Sequence, residues 1–90
     1  MTNNSATRNG ADMKTTAYFD KLRAREDRAG IRLQWIQRVI KSPVREVTQS
    51  DGRIRLWGSV PEMENRFLRV VLLSDRETVH NAFFDRRFRP

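Results

Sequence analysis

The 90-residue sequence predicts an α+β domain, with two helices packed on one face of a four-stranded antiparallel meander. Three observations carry that prediction. An apolar stripe, Ile31, Leu33, Trp35, Ile36, Val39 and Ile40, recurs at helical spacing. After Pro43 the period changes to two. The period-two stretches are separated by short turn-forming clusters, Ser50 to Gly52, Pro61 to Asn65 and Ser74 to Glu77, so successive strands should neighbour one another in chain order.

Residues 1–12 are rich in Asn, Thr, Ser and Gly with no periodicity, and the expectation is a disordered tail ahead of a single domain over 13–90. Met13 opens MKTTAYF and is expected to serve as a second translation start, which the intact mass of the native protein decides. Thr15 to Phe19 is β-prone and predicts a short extra N-terminal strand. Asp20 to Arg28 is built of good helix formers, with Asp20 placed to cap the helix and Gly30 to end it in a positive-φ conformation. The apolar stripe gives a second helix over Leu33 to Lys41, with Gln34, Gln37, Arg38 and Lys41 outward and Pro43 as the stop.

Val44 to Gln49 reads as a half-buried strand, and SDG as a hairpin turn with Gly52 in the left-handed position. Arg53 to Val60 alternates, with Ile54, Leu56 and Val60 inward and Arg53, Arg55, Trp57 and Ser59 outward. Arg66 to Leu73 is nearly all apolar, as a central strand covered on both faces would be. Thr78 to Phe84 is the last strand, with Thr78, His80, Ala82 and Phe84 on one face and Val79, Asn81 and Phe83 on the other. Asp85 to Pro90 is expected to be a charged tail.

Composition narrows the function classes. There is no cysteine and one histidine, and the carboxylates are scattered, so neither a disulfide framework nor a metal site is expected. No Gly-rich phosphate loop, nucleophile elbow or dinucleotide fingerprint is present, and no cofactor is expected. The first residues lack the apolar core of a secretory signal, and no apolar run is long enough to span a bilayer, so a cytoplasmic location is expected.

The charge is +7 with a pI near 11.2, and lysine occurs only at Lys14, Lys21 and Lys41, so the remaining fifteen of eighteen cations are arginine. Arginine grips phosphate bidentately and stacks on bases, so the bias favours nucleic acid or an acidic protein as partner. A GC-rich genome enriches arginine in the same way.

The arginines fall where a sheet would present them. Arg53, Arg55 and Trp57 share the outward side of one strand, and Arg69 is the lone cation in the apolar strand beside it. Such a face can hold single-stranded RNA by phosphate pairing and base stacking. The alternative is a solvated hairpin edge, with Arg53 and Arg55 paired to Glu46 across the turn.

In TVHNAFFDRRF, His80 is followed by Arg86 and Arg87 at the strand's end, where they could meet the same anion as Arg69. Metal-free RNA cleavage needs a proton exchanger and cations for the pentavalent phosphate, parts that His80 and Arg69, Arg86 and Arg87 supply in type. The competing readings are a structural His80 in a non-catalytic binding module, for an acidic protein or ribosomal RNA, and a homodimer covered by Phe83, Phe84 and Phe88.

YFDKLRAREDRAGIRLQWIQRVIKSP, DGRIRLWG, FLRVVLLSD and TVHNAFFDRRF together resemble a group of small bacterial domains of unknown function. That group is similar to BrnT-like toxins of the RelE-like superfamily. The resemblance spans about Thr15 to Arg87, and it implies a RelE-like fold, RNA as substrate class and an acidic antitoxin-like partner. Aligned on Gly30-Ile31, Arg25 matches the first arginine of the group's helix pattern. Lys21 stands at the group's histidine and Ala29 at its second arginine, with Arg28 one position earlier, so a catalytic histidine would have to be His80.

Overall fold

The computed structural model describes residues 13–25, 28 and 30–90; the expected N-terminal tail and Ala29 lie outside them. Two α-helices precede the sheet, α1 over Ala17–Arg23 and α2 over Leu33–Lys41. Four strands follow, β1 Arg45–Thr48, β2 Ile54–Val60, β3 Arg66–Leu72 and β4 Val79–Phe84. They form one antiparallel sheet in the order β1-β2-β3-β4, so the predicted meander is the fold observed.

The helix α1 starts earlier and ends sooner than the sequence suggests. Its cap is Thr16, whose hydroxyl accepts the Phe19 amide at 3.0 Å, while Asp20 sits inside the first turn and accepts the Thr15 hydroxyl at 2.7 Å. The cap works because it places Phe19 and Leu22 inward, both buried. Beyond Arg23 the chain continues through short turns, in which the amides of Arg25, Arg28 and Ile31 donate to Leu22, Arg25 and Arg28 carbonyls. Gly30 does not take positive φ; among the described glycines only Gly52 does, at 91° in the β1–β2 hairpin. The expected N-terminal strand is reduced to one parallel bridge, Thr15 to Val79, on the outer edge of β4.

Helix α2 has the predicted bounds and buries Trp35, Ile36 and Val39. These residues meet Leu56 and Val60 of β2 and Leu68, Val70 and Leu72 of β3 in one core, with Phe19, Val79 and Ala82 beside them. The helix approaches β2 closely because Gly58 carries no side chain: a Cβ there would stand 2.8 Å from Val39 Cγ2. The β2–β3 connection is a 3-10 turn over Pro61–Met63, closed by Glu64 and Asn65 in left-handed conformations.

Three expectations about the sheet are corrected. The first strand is exposed at all four residues and is not half-buried. The helices pack chiefly over β2, β3 and β4, which leaves β1 at the sheet edge exposed. The second correction concerns β4. Val71 pairs with Asn81 but Leu72 pairs with Val79, so His80 is an extra residue in a β-bulge. The bulge shifts the alternation, and Val79 and Ala82, expected on opposite faces, are both buried in the core. The third correction is that Asp85–Pro90 is no free tail: Phe88 is buried, stacked on Trp57 with ring centroids 4.9 Å apart and edge-on to Phe67 at 5.0 Å. It covers its own sheet.

Among the described residues no helix is long and apolar enough to cross a membrane.

Candidate nucleic-acid interface

The face of the sheet opposite the helices carries the chemistry. Since Leu68, Val70 and Leu72 point into the helical core, Phe67, Arg69 and Val71 point the other way. Register brings Arg69 opposite Trp57 on β2 and Phe83 on β4. Its guanidinium lies 5.6 Å from the Trp57 ring centroid and 5.1 Å from that of Phe83.

Asp85 organises this arrangement. Its Oδ2 accepts the Trp57 indole N–H at 2.9 Å and stands 3.8 Å from Arg69 Nη1, and its Oδ1 accepts the Arg87 amide at 3.0 Å. The Asp85 amide in turn donates to the Phe67 carbonyl at 2.9 Å, extending the β3–β4 ladder by one rung before the chain turns back over the sheet. Burial pushes the Asp85 carboxyl up, but the Trp57 indole, the Arg87 amide and the Arg69 charge outweigh it and leave it below the usual aspartate value. Arg69 is half-buried, and its Nε has no hydrogen-bond partner. Burial and the neighbouring Arg55 lower its pKa, against the pull of Asp85. Arg55 pairs with Val71 and is the diagonal neighbour of Arg69, so two guanidiniums share one face, at a like-charge cost that a bound anion would relieve.

The other predicted residues are placed as follows. Arg55 donates from Nε to the Gln49 side chain at 2.9 Å, and Arg53 stands 3.8 Å from Asp51. Glu46 pairs with neither; it takes a bidentate bond from Arg76 at 2.9 and 3.0 Å. Trp57 is buried beneath Phe88, so it supports the face from below and offers no ring to a base. Arg25 lies in the turn after α1, off the sheet.

His80 does not join Arg69, Arg86 and Arg87 around one anion. The bulge hands its ring to the start of α1, where Nδ1 lies 3.1 Å from the Thr16 hydroxyl and the ring stacks on Tyr18 at 4.8 Å. Burial and then the Arg53 charge lower its pKa, which favours the neutral imidazole. Along β4, His80 and Asp85 are separated by roughly 16 Å of extended chain. Arg86 and Arg87 leave the far end of that strand exposed to solvent, and Arg69 is engaged by Asp85.

At that far end the structure shows a groove of 720 Å³ that sequence reasoning missed. Arg28, Arg66, Arg86 and Arg89 line it together with Phe67, Phe83, Phe84 and Phe88. Arg28 reaches it across the edge of β4, donating to the Asn81 side chain at 3.0 Å and lying 5.4 Å from the Phe83 ring centroid. The only sequence signal for it was the density of arginine and phenylalanine in the last eight residues. Among the described residues no three His, Asp or Glu side chains gather as a metal-binding group.

Comparison with protein-family models, with curated proteins and with solved structures finds no match for this chain. The functional reading therefore stands on the geometry above.

Proposed function

We propose that this chain binds single-stranded RNA across the sheet face opposite the helices. The observation that carries the reading is the Arg55–Arg69 pair, diagonal neighbours across β2 and β3 on one face, with Phe83 beside Arg69. Phosphate would relieve their repulsion, and bases would stack on the guanidinium and phenylalanine surfaces beside them. The net charge of +7 adds long-range attraction for a polyanion. The resemblance to RelE-like RNA-directed proteins agrees with this reading.

Cleavage has less support than binding. A proton exchanger must reach the ribose hydroxyl while cations hold the phosphate. His80 is instead held between Thr16 and Tyr18, and the cation whose charge acts on it is Arg53 rather than Arg69. The proposal is accordingly a binding module.

Fluorescence anisotropy with a short labelled single-stranded oligoribonucleotide tests it. Wild-type protein should bind with an affinity that falls linearly on a log–log plot against salt, and Arg55→Ala should weaken binding about tenfold. An oligonucleotide that fails to bind at low salt, or an Arg55→Ala variant that binds like wild type, would contradict the proposal. An acidic protein that binds where RNA does not would favour the competing partner class.

A further inference from the structure

The groove at the end of β3 and β4 adjoins the face that carries Arg69, sharing Phe83 and Asp85 with it, but draws its cations from other residues. Four arginines and four phenylalanines surround 720 Å³, a volume in the range that encloses a small ligand. Asp85 is the one acidic side chain among its lining residues, and that group is already engaged by Trp57 and the Arg87 amide. Two of the cations have local duties: Arg89 donates to the Arg86 and Phe88 carbonyls at 3.2 and 3.1 Å, and Arg66 stands 3.9 Å from Glu64, both of them highly exposed. Arg86 has no carboxylate partner among the described residues. The walls are thus aromatic and cationic together, which suits a planar ring that carries an anionic group.

We propose that this groove binds a nucleoside monophosphate, either free or as the phosphorylated end of an RNA strand. The base lies against the half-buried ring of Phe83, and the phosphate meets Arg86 and Arg66 at the rim. Neither half of such a ligand would suffice alone: adenosine lacks the anion, and inorganic phosphate lacks the ring. The proposal deepens the RNA reading by adding a terminal-nucleotide site. Its anion-binding residues Arg66 and Arg86 lie at the strand ends, away from Arg55, so the two readings can be tested apart.

Isothermal titration of the full chain with AMP, adenosine and inorganic phosphate gives the test, with labelled RNA bearing either a terminal phosphate or a terminal hydroxyl as further arms. AMP should bind about tenfold tighter than either fragment, and Arg86→Ala should remove about that advantage. Lys41→Ala, at the far end of α2, should bind AMP as wild type does. If the ligand is a strand end, phosphorylated RNA should outbind hydroxyl-ended RNA and lose its preference in Arg86→Ala; if it is a free nucleotide, AMP should bind while the two RNAs stay equal. AMP binding no tighter than inorganic phosphate, or unchanged in Arg86→Ala, would overturn the groove assignment. Failure of the open-face reading looks different, since Arg55→Ala would then leave RNA binding intact whatever AMP does.

Discussion

The indole N–H of Trp57 donates to Asp85 at 2.9 Å, and this bond ties β2 to the segment that follows β4. The strands are not neighbours in the sheet, so the bond spans β3 and fixes the C-terminal residues over it. Replacing Asp85 by Ala should strand a buried indole donor, release Phe88 and lower stability by about 1–3 kcal/mol, read from urea unfolding. A domain of this size has a small margin, so that loss should be plain in the midpoint.

Acid should act through the same carboxylate. Its pKa is depressed in the folded chain, so its contribution is fully present above the ordinary value of 3.8 and is lost as pH falls through the lower folded value. Asp85→Asn should flatten that limb of the stability–pH curve, measured by thermal unfolding across the acid range.

His80 acts in a second and higher window. Its folded pKa lies below the ordinary 6.5, so the unfolded chain binds the proton more readily. Stability should therefore be complete above pH 6.5 and fall as pH drops below it. Thermal unfolding at pH 7.5 and pH 5.5 should show this decline in wild type and less of it in His80→Gln.

Gly58 marks the tightest helix–sheet contact. An added methyl group would stand 2.8 Å from Val39 Cγ2, so Gly58→Ala should cost about 1–3 kcal/mol. Val39→Ala in the same chain should recover part of that loss, which a double-mutant cycle in urea would show as non-additivity.

The parts of this molecule legible in sequence are those set by repetition. Helix α2 announces itself because six apolar residues keep helical spacing and Pro43 cuts them off, and the strands because turn clusters divide a period-two pattern. What escaped notice depends on single residues. One extra residue at His80 shifts the register, and nothing in the alternation of TVHNAFF shows where the insertion falls. Phe88 returns to the sheet because Asp85 bonds Trp57, a long-range contact hidden in a run of charges. The site followed the same division: Arg53 and Arg55 could be placed on one side of their strand by counting, but the contacts of His80 with Thr16 and Tyr18 could not.

The most direct measurement of the RNA reading is a residue-resolved map of where RNA touches the protein. Titration of the isotope-labelled chain with single-stranded RNA should shift the amide signals of Arg53, Arg55 and Arg69, while those of Gln34, Gln37 and Lys41 on the outer side of α2 stay in place. Shifts confined to the helices, or no shifts at low salt, would contradict it.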